Sequence, residues 1–174
     1  LGMYSPLVVL IGGVGFNLLA VVIDLVVLAA LALAAKPSLS WPRGLFWRVV
    51  PLSLVTGFIA SLTYSTLLIS GSINQHPIGL AGFMVTAAQV VSASVAMVLA
   101  VKGGLRLRLS GLLLLTYLAA LISGYLVDST CAVTLLILRG IEPVIGAYGP
   151  LDGLVLNQLM VMTFTAIARR LGPT

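Results

Sequence analysis

The sequence predicts an all-α integral membrane protein: one transmembrane helical domain over residues 1–174, a bundle of five membrane-spanning helices with an irregular or re-entrant segment between the last two. Three observations carry that expectation. Residues are 60 % hydrophobic and only 7 % charged, whereas a soluble domain carries roughly 25 % charged residues. So little charge cannot cover a water-facing surface, and lipid is the solvent that fits. Apolar runs of about 18 residues or more recur, the length that crosses a hydrocarbon core of about 30 Å. Finally, the basic residues behind the net charge of +5 stand in small groups between those runs, as they do at helix ends facing an anionic cytoplasmic leaflet. That distribution points to the lipid bilayer as the partner and not to nucleic acid.

The first run extends from Leu7 to Ala35 and is closed by Lys36-Pro37. It is longer than a span requires, so it is expected to tilt or to pass one interface. It is also too long, and too poor in basic residues at its start, for a cleavable signal peptide. The connector to Arg48 carries Lys36, Arg43 and Arg48 with Trp41 and Trp47, an interfacial combination, and Phe46-Trp47-Arg48 is expected as a short interfacial helix. The second span covers Val49–Ser70 and is followed by an uncharged turn, Gly71–Pro77. The third covers Ile78–Val101 and leads into the basic turn Lys102–Arg108. The fourth covers Leu109–Val127, and the last covers Leu151–Ala168, closed by Arg169-Arg170.

Between the last two, Cys131–Leu138 is apolar but too short to cross alone, so Ser129–Leu138 is expected as a broken helical extension or a re-entrant segment. Five spans place the connectors at 36–48 and 102–108 and the Arg169-Arg170 pair on one side. The positive-inside rule then puts the N-terminus outside and the C-terminus in the cytoplasm, in the cytoplasmic (cell) membrane. A sixth span through Cys131–Leu138 is the alternative, and it would move the arginine pair outside.

Close packing of small residues drives helix association in lipid. Ser53, Gly57, Ser61 and Ser65 form one ridge at spacing four, and Ala88, Ser92, Ala96 and Ala100 form another. With a short turn between their spans, the two ridges are expected to pair as an antiparallel hairpin. The alternative is that one of them faces a second copy of the chain. Gly12-Gly13 and Gly15 permit close approach or a bend near the start of the first span.

Polar residues out of place in such a chain are the candidate functional groups. Asp24 lies within the first apolar run, with Asn17 seven residues earlier on nearly the same helical face. A carboxylate at the bilayer centre costs about 2.5–3.5 kcal/mol, so it faces the bundle interior or water. It is either a proton- or cation-coupling group or a hydrogen-bonded structural contact. Asp128, Glu142 and Asp152, the other three acids, fall in the segment assigned to the outer side with Arg139. They either gather a cation or cationic solute or are solvated loop residues. Asp152 also suits a helix N-terminus. Gln89 in the third span and Asn157-Gln158 in the fifth can hydrogen-bond between helices or meet a ligand.

There is one cysteine, Cys131, and one histidine, His76. They exclude an intrachain disulfide, a Cys/His zinc site and a bis-histidine haem. They leave a Cys131–His76 dyad as the sole enzymatic arrangement, against an inert buried thiol. No cofactor or metal motif is present, and the chain is not expected to be an enzyme. The functional expectation is a solute-binding or transport component. Its outward-opening polar pocket would be lined by Asn17, Asp24, Gln89, Asn157 and Gln158, with the 128–152 segment as a lid. The alternatives are a non-catalytic structural subunit of a larger membrane complex, with a second copy or other membrane subunits as partners, and an intramembrane enzyme.

Overall fold

The computed structural model of the chain describes residues 7–35, 43–72, 77–102, 108–147 and 152–171. Helix accounts for 83 % of it, in five helices, four of them long and apolar enough to cross a membrane. Those four are α1 (Leu18–Ala35), α2 (Arg43–Ile69), α3 (Pro77–Lys102) and α4 (Leu109–Arg139). The fifth, α5 (Gly153–Leu171), has its apolar character diluted by Asn157-Gln158 and by Arg169-Arg170. A three-stranded sheet of β1 (Val8–Ile11), β2 (Val14–Asn17) and β3 (Val144–Ile145) completes the architecture. The chain is therefore an all-α bundle that carries a small sheet at one end. Lys36, Trp41, His76, Pro150 and the 103–107 part of the basic turn lie outside the described residues.

The sheet corrects the reading of residues 7–17 as helix. β1 and β2 pair antiparallel with Ile11 opposite Val14, which leaves Gly12-Gly13 as a two-residue loop. Both glycines have positive φ, +60° and +86°, the turn geometry that matches strand twist and selects glycine. β2 then pairs in parallel with β3, Gly15 opposite Val144. A Cβ on Gly15 would come within 2.9 Å of the Val144 side chain. By hydropathy alone a strand of Val, Leu and Ile is indistinguishable from the start of a span, and the Gly-Gly loop between β-branched residues is the signal that separates them.

A second correction concerns α4, which runs unbroken to Arg139. Residues 129–138 hold no glycine or proline, and their hydroxyls turn back onto the helix. Thr130 donates to the Leu126 carbonyl at 2.7 Å and Thr134 to the Thr130 carbonyl at 2.8 Å. The helix stops at Gly140, which is left-handed (φ 62°, ψ 20°) and returns its N–H to the Leu136 carbonyl. Asp128 therefore sits inside a helix, and the helix is left only at Gly140. The expected interfacial helix at Phe46-Trp47-Arg48 is likewise the first part of α2.

α4 packs against each of the other four helices. Its own face is built for that, with Gly111, Ala119, Ala120, Ser123 and Gly124 buried along it. The small-residue ridges of α2 and α3 turn to α4 more than to each other, although α2 and α3 do pack together. A Cβ on Gly57 would meet the Ser123 carbonyl at 3.2 Å and Leu126 at 3.0 Å. Ser65 shares a hydrogen bond of 3.2 Å with Thr134, and Ala96 and Ala100 pack in one cluster with Leu112, Leu115 and Ala119. The sheet covers the far end of α4, where Val14 and Ile145 pack with Ala132 and Leu135. The Gly57→Leu variant should force α2 off α4 and destabilise the protein by about 1–3 kcal/mol, read as a lower melting temperature of the purified chain. Gly82→Leu, on open space, should leave the melting temperature close to wild type.

Candidate functional site

Several polar side chains are buried in the interior of the bundle. Asp24, the seventh residue of α1, is buried with 2 % of its surface exposed. It meets two groups that the sequence reading missed. Tyr117 donates to its Oδ1 at 3.0 Å and Tyr125 to its Oδ2 at 2.7 Å. Both tyrosines lie on α4, two turns apart, and bracket the carboxyl from either side. The available signal was two phenol hydroxyls within one apolar run, each of which needs an acceptor when buried.

Asn17 does not share a helical face with Asp24. It is the last residue of β2 and caps α1, accepting the Leu19 N–H on Oδ1 at 3.0 Å. Its Nδ2 is buried and has no hydrogen-bond partner among the described residues. Asn17 packs on Gly146, where a Cβ would lie 3.5 Å from that of Asn17 and 2.9 Å from that of Ala20. The Gly146 N–H in turn donates to the Asp128 carboxyl. Gly146 has φ +68°, so both its conformation and its space select glycine. One turn of chain thus joins α1, the sheet and Asp128.

Asp152 accepts the Leu154 N–H at 2.9 Å and caps α5. From there it lies within electrostatic range of Asp24, Asp128 and Tyr125. Asp152 at the start of α5 thus feels both Asp24 of α1 and Asp128 of α4, without the three forming a cluster. Glu142 is not of that kind: it is exposed on the irregular segment. No group of three or more His, Cys, Asp and Glu side chains among the described residues is arranged to hold a metal ion.

The amides divide into two kinds. Asn157 on α5 donates to Thr86 on α3 at 2.7 Å, a contact between helices with a partner that had not been anticipated. Gln89 and Gln158 are both fully buried, and among the described residues neither the oxygen nor the nitrogen of either carboxamide has a hydrogen-bond partner. Ser92 Oγ is buried and bare as well. Gln89 lies flat on Gly124, its Cδ 2.9 Å from where a Cβ would be.

Cys131 is buried at 1 % exposure in an apolar cluster with Leu135, Val127 and Tyr64, and its proposed dyad partner His76 lies outside the described residues. Comparison of the chain with protein-family models, with curated proteins and with solved structures finds no match.

The Asp24–Tyr117–Tyr125 arrangement generates a prediction. Asp24→Leu leaves two phenols without acceptors and should cost about 2–4 kcal/mol, one to two hydrogen bonds lost plus the bare donors. The triple change Asp24→Leu, Tyr117→Phe, Tyr125→Phe removes the whole polar set, and should recover more than half of that loss. Chemical or thermal unfolding of the purified variants measures both.

Proposed function

We propose that this chain is an integral protein of the cytoplasmic membrane with five membrane-spanning helices. We further propose that the sheet-side half of its bundle binds a small polar solute, as a component of solute uptake or transport. α5 serves as the fifth span: its 19 residues reach about 28 Å. Its polar Asn157 and Gln158 turn inward, while Leu156, Met160 and Phe164 stay exposed. Of the basic residues, Arg48, Lys102, Arg108, Arg169 and Arg170 stand at or near the helix ends opposite the sheet. By the positive-inside rule the sheet end is then outside and the C-terminus is cytoplasmic.

One observation carries the solute-binding reading. Asn17, Gln89 and Gln158 keep buried amide atoms without partners among the described residues, in a bundle whose interior also holds Asp24 and Asp128. An unpartnered amide away from water costs about 1–3 kcal/mol, and lipid offers it nothing. Several such groups in an interior that also holds carboxyl groups are the lining of a site whose ligand or water supplies the missing partners. The four apolar helices, with no soluble domain among the described residues, fit a transport component, alone or beside other membrane subunits.

Cysteine accessibility tests both halves of this proposal. In a Cys131→Ser background, intact cells would be treated with a membrane-impermeant thiol reagent. Labelling is expected at Gln75→Cys and Tyr148→Cys and not at Gly104→Cys, which fixes the orientation. Reactivity at Gln158→Cys is expected too, because a solute path must reach it. Silence at Gln158→Cys and Asn17→Cys, with the outer positions labelled, would overturn solute binding and leave a sealed structural subunit.

A further inference from the structure

The two buried carboxamides stand beside one contact of three helices. Ala93 of α3, Ala120 of α4 and Val161 of α5 form a single buried cluster. Gln89, Gly124 and Gln158 each stand about one helical turn from these three, all toward the sheet. Gln89 touches Gly124, and Gln158 stands on α5 at the corresponding level of the three-helix contact. The Asn157–Thr86 bond ties α5 to α3 just beyond them. Asp128 follows Gly124 by four residues, which places it about 6 Å further along the same ridge of α4. Asp152 adds a second carboxylate there, and Asn17, packed on Gly146, adds a free N–H donor beside them.

The ridge therefore has two ends of different chemistry. Near Gly124 it offers two donor–acceptor pairs without partners among the described residues. At Asp128 it offers a carboxyl group, with that of Asp152 nearby. We infer that the Gly124–Asp128 ridge is a two-ended subsite for a small organic cation that carries a carboxamide-like group about one helical turn from its charge. This rests on the solute-binding reading above and names its solute class. A carboxamide, lactam or ureido edge matches Gln89 and Gln158, because each can both donate to it and accept from it. A bare metal ion would use the two amide oxygens but leave both N–H₂ groups without acceptors. An anionic solute would meet Asp128 and Asp152 with like charge. Gly124 is what lets the Gln89 carboxamide pack against α4, since any Cβ there would occupy its position.

The test is ligand-dependent melting of the full chain purified in detergent. The probe is 4-aminobutanamide, and its halves butylamine and butanamide are the controls. The whole probe should raise the melting temperature by several degrees, while neither half does so at the same concentration. Asp128→Asn should abolish the shift. The paired change Gln89→Met and Gln158→Met should abolish it as well, and should also raise the melting temperature of the unliganded protein, because it removes four bare polar atoms at nearly constant volume.

A shift with butylamine equal to that with the whole probe would overturn the amide half of the inference and leave solute binding standing. A lower melting temperature in the paired methionine variant, with the probe shift retained, would show the glutamines to be structural and would overturn it too. No shift with any probe, together with thiol labelling at Gln158→Cys, would overturn the solute class alone. No shift and no labelling would overturn both this inference and the proposed function.

Discussion

Close approach to α4 is the constraint on which the rest of the molecule depends. In lipid the apolar surfaces of helices gain little by meeting one another, so association rests on dispersion and hydrogen bonds made at short range. α4 supplies short range by keeping Gly111, Ala119, Ala120, Ser123 and Gly124 on its buried face. α2 comes in over Gly57, against the Ser123 carbonyl and Leu126. α3 comes in over Ala96 and Ala100, and α1 comes in over Leu31 and Ala35 onto Leu114 and Tyr117. The length of α4 does the rest. At 31 residues it spans about 46 Å, longer than a hydrocarbon core of about 30 Å. Its last turns are left to carry the sheet.

That sheet solves a problem set by the chain ends of the helices. α1 begins abruptly at Leu18, and its first N–H groups need partners. Asn17 caps one of them, and Leu18 itself donates to the Leu7 carbonyl at 3.0 Å. The segment after α4 must return across the bundle to start α5. Val144-Ile145 does so by adding to the free edge of β2, with the Gly15 N–H donating to the Pro143 carbonyl at 2.9 Å. Gly146 then turns the chain over Asn17 and Ala20 and delivers its N–H to Asp128. The same few residues that close the backbone's hydrogen bonds also bring α1, α4 and α5 together around the acids.

The membrane-crossing character of the chain was legible because it lies in composition and run length, which survive any error about boundaries. α2 and α3 match their expected spans apart from their ends. What failed was what hydropathy cannot distinguish. Residues 8–17 are as apolar as a span but pair as strands, and Gly12-Gly13, which suits close helix approach or a bend, is a strand turn instead. Residues 129–138 carry serine, threonines and cysteine, which count as loop-like in isolation. In place, Thr130 and Thr134 satisfy their hydroxyls on the helix's own carbonyls and cost it little. The polar residues facing the interior, Asn17, Asp24, Gln89, Asn157 and Gln158, were identifiable as out of place. Their partners were not, because Tyr117, Tyr125 and Thr86 become meaningful only once α4 and α3 are known to present them.

The polar residues of the interior separate by whether their needs are met. Asp24, the most conspicuous of them in the sequence, is also the best satisfied, with both oxygens held by phenols. Asn157 has its threonine and Asp152 its cap. These contacts account for themselves as structure: remove the partner and a buried group is stranded. Gln89 and Gln158, which read as ordinary glue between helices, are bound to nothing among the described residues. A membrane protein gains no stability from such groups, since leucine or methionine would pack in the same volume without the desolvation cost. In the proposed function these are the groups that a solute would satisfy, so that reading rests on the amide and acid ridge of α4 more than on the carboxylate buried in α1.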